Sequence, residues 1–367
     1  MTAIPSSHTG TGNRTPIRIA VIGVGYLGKI HTRLLAADEK FELVGVVDPS
    51  AAARQEVARE HGVAVFSDYR QLEGQAEAAV VSTPTILHHE VAAYLLNNQV
   101  HVLVEKPITT TVSQANALIE LANKHHRVLQ VGHVERFNPA FQAASGQIQQ
   151  ARYIECARLA PYTFRSTDVG VVLDLMIHDI DLVLATVRSE VVEVMAMGAA
   201  VIGPHEDIAH ARLHFANGCV ANLTASRVSP EVRRSMQVFA PGGHTCLDFS
   251  TPSAHHFAIS EMVRSQAIDP ASTSPEQQQE LKDRFFDDVL PRRELQVLSG
   301  NAIQEEHADL ASAIGSGQPV AVSGTDGRDA LAIAQRVVQS LGTHRWNGRH
   351  EGPSGPHLWT TSARRAG

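Results

Sequence analysis

The chain has 367 residues, a formal net charge of −7 and 43% hydrophobic residues, of which few are aromatic. That length suits two domains or one large one, the mild acidity argues against a nucleic-acid binder, and no apolar run of about eighteen residues offers a membrane span. Cys156, Cys219 and Cys246 are odd in number and lack C-x-x-C spacing, so they read as free thiols of a reducing, cytoplasmic compartment, and no metal site is expected.

The opening "MTAIPSSHTGTGNRTP" lacks the apolar core of a signal peptide and reads as a flexible arm over 1–15. Ile17 to Ile22 is then a near-continuous apolar run, as in a strand buried on both faces. Gly23, Gly25 and Gly28 follow in G-x-G-x-x-G spacing, and Leu27, Ile30 and Leu34 recur at helical spacing. A second apolar strand, "FELVGVVD", ends in Asp48, about twenty residues beyond the last glycine, where a ribose-binding acid belongs. Gly23 permits the tight turn, Gly25 lets backbone approach a pyrophosphate, and Gly28 lets helix pack on strand. The helix N-terminus supplies N–H groups and a positive dipole end to the phosphates. Asp48 accepts from ribose hydroxyls and repels a 2′-phosphate, which favours NAD; Arg54, close in sequence, leaves NADP open.

The alternation continues. "AAVVST" is a strand ending at Ser82, Thr83 and Pro84, with a helix through Leu96; "VHVLV" is the next strand, "VSQANALIELANKHH" a helix and "VLQVG" another strand. Strands alternating with helices predict a parallel sheet with right-handed crossovers, whose ligands bind at the carboxyl ends of the strands. Glu105, Lys106 and Pro107 close one strand at such an end. The charges read either as the mouth of a cleft or as a surface ion pair of little energetic value.

After "ERFNPAF" the pattern changes. Asn138 and Pro139 read as a helix N-cap and first helical residue. "RYIECARLA" and "VVEVMAMGAAVI" read as strands. Asn217-Gly218 marks a hairpin between alternating runs, and Pro241-Gly242-Gly243 a second. The expectation is an antiparallel or mixed sheet, covered by helices on one side, with His210, Arg212 and His214 on a face turned to solvent or to another subunit. Residues 266–292 read as an exposed excursion with one helix, two helices follow, and 343–367 is expected to be a flexible tail. Between the first two strands, "TDVGVVLDLMIHDIDLVLATV" is a partly buried helix. Its Asp174 and His178 are four apart and share a face, and Asp181 stands where it can orient the imidazole. This is either an acid/base pair or a capped helix with a satisfied core histidine.

Taken together, "VIGVGYLGKIH", "STPTILHHEVAAYLL", "VHVLVEKPIT", "VGHVERFNPAF", "DVGVVLDLMIHDID" and "PVAVSGTDGRDALAIA" resemble the Gfo/Idh/MocA oxidoreductases, the glucose–fructose oxidoreductase and inositol dehydrogenase family. The resemblance implies an α/β fold with a Rossmann NAD-binding domain over 16–136. It also implies a substrate-binding α/β domain over 137–342, with a large open, mostly antiparallel sheet through which homodimers or homotetramers form. It puts Gly23, Gly25, Tyr26, Leu27, Gly28, Asp48, Thr83, Pro84, His88, Glu105 and Lys106 on the dinucleotide, and Lys106, Asp174 and His178 on a sugar hydroxyl, leaving open whether Lys106 or His178 is the base. Gln99 departs from a usual glycine, and Asn98 is expected to take the left-handed cap conformation instead. The closest likeness is to the branch that oxidises UDP-N-acetylglucosamine at C3 for diamino-sugar lipid A. An inositol or aldose dehydrogenase, or a non-catalytic NAD-bound sensor, is the alternative. The expected partner is a sugar or sugar nucleotide, with no nucleic acid and no membrane.

Overall fold

The computed structural model describes residues 15–164, 168–346, 350–353 and 355; nearly all of the expected arm, and the tail beyond 355, lie outside them. The first sheet is formed by β1 (Ile17–Ile22), β2 (Phe41–Val47), β3 (Val65–Phe66), β4 (Ala78–Val81), β5 (His101–Glu105) and β6 (Leu129–Gly132). They are parallel, in the order β3-β2-β1-β4-β5-β6. Central strands such as β1 and β4 are buried residue after residue because helices cover both faces. α1 (Tyr26–Ala36), α2 (Ala51–His61), α3 (Thr85–Asn97) and α4 (Val112–His125) supply most of that cover.

The second half begins with α5 (Pro139–Ala144), where Asn138 Oδ1 caps the Ala140 N–H. β7 (Tyr153–Leu159), a π-helical turn at Val172–Met176 and α6 (Ile177–Val187) follow. Then come β8 (Val191–Ala199), β9 (Ile208–Phe215), β10 (Val220–Ser226), β11 (Arg233–Ala240), β12 (Gly243–Asp248) and β13 (Ser253–Ala258). α7 (Glu261–Arg264) precedes the excursion, which carries α8 (Pro275–Asp283) and a π turn at Phe285–Val289, and the chain re-enters the sheet as β14 (Arg292–Glu294). The sheet order is β14-β13-β12-β11-β7-β10-β9-β8, antiparallel except for β10 on β7. Buried and exposed residues alternate along β7, β9 and β11, the pattern of a sheet covered on one face only. His210 and Arg212 stand on the outer face, paired with Met197 and Met195 of β8.

α9 (Ala302–Ser316) and α10 (Gly324–Thr343) return to the first sheet. Leu310 joins the core under α1 and α2, Val322 and Leu331 the core under α3 and α4, while Ala334, Val337 and Leu341 pack into the core of the second sheet. A Cβ on Gly327 would meet the Val131 side chain at 2.7 Å, so α10 lies close on β6. A short pair, β15 (Arg345–Trp346) with β16 (His350–Glu351), occupies part of the segment expected to be flexible.

Asn98 does not take the left-handed conformation. Its φ is −92° and its side chain donates to the Tyr94 carbonyl at 2.8 Å. Gln99 itself adopts φ +64°, and its amide meets His125 Nδ1 at 2.7 Å.

Candidate active site

The carboxyl ends of β1, β4 and β5 form one edge, as the parallel topology requires. Gly23 turns the chain at φ +88°, and a Cβ on Gly28 would fall 1.9 Å from the Gly23 carbonyl oxygen. A Cβ on Gly25 would meet nothing within 4 Å, so the space over the loop is open. No side chain caps α1, which leaves its N-terminus to a ligand. Asp48 braces this loop: Oδ2 accepts from the Val24 N–H at 3.0 Å and Oδ1 from the Ser50 N–H at 2.8 Å. Arg54 donates to the Asp48 carbonyl at 2.5 Å and to that of Pro49 at 3.0 Å. Asp48, Ser67 and Tyr69 line a cavity of about 240 Å³ beside Gly23, on the side where the second strand expects a ribose.

A larger cavity of about 710 Å³ opens between the two halves, lined by Leu27, Thr83, Pro84, Lys106, Leu173 and Asp174 among others. The Thr83 hydroxyl is sealed from solvent with no partner. Open glycine loop, uncapped helix, carboxylate and orphaned hydroxyl together fit a nicotinamide dinucleotide. Tyr26, the first residue of α1, is 63% exposed. His88 is buried, with Nδ1 2.9 Å from the Pro107 carbonyl and Nε2 2.8 Å from that of Thr83. The neutral ring donates to one of these two carbonyls, and neither nitrogen faces the cavity free.

Lys106 Nζ donates to the Asp174 carbonyl at 2.6 Å and lies 3.6 Å from Asp174 Oδ1. Asp174 falls in the π turn rather than in a regular helix. Glu206 enters there, accepting from the Val172 N–H at 3.2 Å, and fills the space that a Cβ on Gly170 would need; such turns recur at functional sites. His178 begins α6, with Nδ1 sealed and unpartnered. Burial, then the charges of Lys106 and Arg158, hold its imidazole well below the usual histidine range, so the ring is neutral. Asp181 does not orient it. Arg136, from the 3-10 turn at Val134–Phe137, grips Asp181 through Nε at 2.7 Å and Nη2 at 2.9 Å.

Glu105, expected on the dinucleotide, is tied instead into a set of buried polar groups that were not singled out from sequence, among them His31, His307, Arg158, His133 and Glu306. The Glu105 carboxylate turns inward and accepts from His31 Nε2 at 2.9 Å and from the Lys106 N–H at 3.1 Å. Burial pushes its pKa up, but the hydrogen bond and charge of His31 outweigh this and hold it low. His31 Nδ1 in turn meets His307 Nε2 at 2.8 Å. Arg158 joins Asp179 and Glu135, each at 2.7 Å. His133 is wholly buried with both nitrogens unpartnered, and Glu306 with both oxygens unpartnered. The available signal was charge inside apolar runs, as at Asp179 and Asp181 in "MIHDIDLVL".

Residues 17–133 match the oxidoreductase family with an NAD-binding Rossmann fold, and residues 140–244 match the GFO/IDH/MocA C-terminal domain. The UDP-N-acetylglucosamine 3-dehydrogenase of Acidithiobacillus ferrooxidans is 36% identical over 333 residues, 88% of this chain and 96% of that one. Its solved structure superposes with a TM-score of 0.77, over 89% of this chain and 97% of that one. The inositol 2-dehydrogenase of Rhizobium meliloti is 24% identical over 90% of this chain and 98% of its own length. At 19% identity, scyllo-inositol dehydrogenase from Lactobacillus casei shares the fold, with a TM-score of 0.69 over 89% of this chain and 96% of that one. On this evidence of sequence and fold, the chain belongs to the Gfo/Idh/MocA family of NAD-binding oxidoreductases.

Proposed function

We propose that the protein is an NAD-dependent sugar-nucleotide dehydrogenase that oxidises the C3 hydroxyl of UDP-N-acetylglucosamine. The observation that carries this reading is the contact of Lys106 with Asp174 in the lining of a cleft beside the glycine loop, with His178 one helical turn on from Asp174 and within reach of the Lys106 charge. The identity of the Acidithiobacillus relative, over nearly its whole length, supports the substrate.

Gly23, Gly25 and the N-terminus of α1 hold the pyrophosphate, Asp48 the ribose, and Thr83 and Pro84 the nicotinamide side. The bound nicotinamide supplies the acceptor for the hydride that leaves C3. Lys106 Nζ, freed from the Asp174 carbonyl, donates to the C3 oxygen and stabilises the negative charge that develops there. Neutral His178 takes the hydroxyl proton on Nε2, and Asp174 keeps Lys106 in place until substrate arrives. The products are a 3-keto sugar nucleotide, the reduced cofactor and one proton. Such a ketone is what an aminotransferase consumes, which agrees with a place in diamino-sugar synthesis. Asp48 repels a 2′-phosphate, and Arg54, held on two carbonyls, is not turned to receive one, so NAD is the preferred cofactor. Exposed Met195, Met197 and Phe239 on the outer face of the second sheet support assembly through that face.

The test is incubation with NAD and a panel of sugar nucleotides and free polyols, following reduced cofactor and product mass. A UDP-N-acetylglucosamine product two mass units lighter is expected. Turnover of myo-inositol with none of any UDP-sugar overturns the reading.

A further inference from the structure

β11 runs antiparallel to β7, and Arg234 stands directly opposite Arg158. Opposed residues of such a pair project to the same face. Arg158 projects inward, to the face on which α6 packs, where Asp179 receives it. Arg234 therefore begins an inward row that continues in Met236 and Val238, both wholly buried. Yet Arg234 is exposed.

Two guanidinium groups opposite each other repel. Arg158 is neutralised by two carboxylates. Arg234 has no such compensation. No described residue forms a hydrogen bond or ion pair with its side chain, and only its carbonyl is engaged, accepting from the Phe249 N–H at 2.8 Å. The other arginines nearby are occupied: Arg136 on Asp181, and Arg227 on Asp207 and the Val169 carbonyl. The position costs repulsion and, among the described residues, gains no hydrogen bond or ion pair in return. It does put a cation on the side of the His178–Asp179 stretch: Arg158, which Arg234 faces across the ladder, holds Asp179 at 2.7 Å, and Asp179 is the chain neighbour of His178.

We propose that Arg234 binds the diphosphate of the nucleotide sugar and so sets the preference for a nucleotide-linked substrate over a free sugar or polyol. This rests on the substrate reading above and extends it to a residue. The planar guanidinium fork matches a pair of phosphate oxygens. In a nucleotide sugar the diphosphate sits one sugar ring away from the C3 hydroxyl, so both are served when the hydroxyl is at His178 and the diphosphate at Arg234. A net charge of −7 gives the whole molecule no general attraction for such an anion, which makes a local cation necessary. A polyol offers Arg234 no anion.

The full-length protein, saturated with NADH to fill the dinucleotide site, is titrated with UDP and with uridine by calorimetry, as wild type, Arg234→Gln and Arg234→Lys. Wild type binds UDP well above uridine. Arg234→Gln loses about tenfold to a hundredfold in UDP affinity, the range for hydrogen bonds to a charged group, and binds uridine and NADH as before; Arg234→Lys falls between. A variant that binds UDP as wild type does, or that loses UDP and uridine equally, overturns the proposal. Turnover separates the two readings. Wild-type oxidation of UDP-N-acetylglucosamine with an unchanged KM in Arg234→Gln removes Arg234 and leaves the function standing. If wild type oxidises no UDP-sugar, the function falls, and a wild type without preference for UDP over uridine overturns the role of Arg234 as well.

Discussion

His31 of α1 and Glu105 at the end of β5 meet at 2.9 Å inside the protein. One buried hydrogen bond thus joins the helix that receives the dinucleotide to the strand that carries Lys106. Removing the imidazole leaves the buried carboxylate without this hydrogen bond, at a cost of about 1–3 kcal/mol. His31→Leu is therefore expected to lower the melting temperature by several degrees or more and to weaken NAD binding. A variant that melts with the wild type and binds NAD equally well would mean that the tie contributes nothing.

Lys106→Met keeps most of the side-chain volume and removes the cation. Turnover should fall about a hundredfold to a thousandfold, the usual loss for one such electrostatic contact. NAD affinity and melting temperature should change little, because the glycine loop is untouched. His178→Asn is expected to behave alike, and the double variant to lose less than the product of the two, since both act on one proton. Wild-type turnover in Lys106→Met refutes its role, and failure to fold makes the residue structural.

Asp48→Ala removes both the ribose acceptor and the brace on the Val24 N–H. The ratio of NAD to NADP affinity, read by calorimetry, should shrink about tenfold or more, as expected for a hydrogen bond to a charged group. An unchanged ratio would assign the preference elsewhere.

Burial holds the imidazoles of His88, His133 and His178 below their ordinary value, and pushes His307 down to about 3. Below about pH 6.5 the unfolded chain takes up protons that the fold refuses. Stability is thus complete above that pH and falls as the pH drops towards the folded values, by up to about 1.4 kcal/mol per pH unit for each imidazole. His133→Phe, which sacrifices no partner, should flatten the fall between pH 6.5 and 5 in denaturant titrations; an unaltered slope refutes the assignment. Glu306 has the opposite sign. Burial and then the Glu105 charge raise its pKa well above the usual range, so it weakens the fold as the pH rises past about 4.5, the value of a free carboxyl. Glu306→Gln should therefore melt higher than wild type at pH 7.

Much of this was legible because it is local. The apolar runs of β1 and β4, the glycines between β1 and α1, and the Asn217-Gly218 turn each state their structure within a few residues. The π turn at Val172–Met176 is not local. Its period looks helical until Glu206, from a distant loop, enters beside Gly170. The partner of Asp181 is equally remote: Arg136 lies on another element, 45 positions away. Nor does β14 show itself, since its three residues are charged and all exposed, with no apolar run to mark a strand. The proposed catalytic set was read from motif, whereas the buried groups around it are brought together only by the fold.

The return of α9 and α10 to the first sheet bears on how the protein is made. At about 5–20 residues per second, the six parallel strands leave the ribosome well before Leu310, Val322 and Leu331, which complete the cores on both of their faces. The early half emerges with two apolar seams uncovered and can be sealed only when the last helices arrive. Nascent chains halted after residue 300 should be cut rapidly by protease and captured by chaperones, while chains released beyond residue 343 resist. Equal resistance of the two would mean that the first sheet closes by itself.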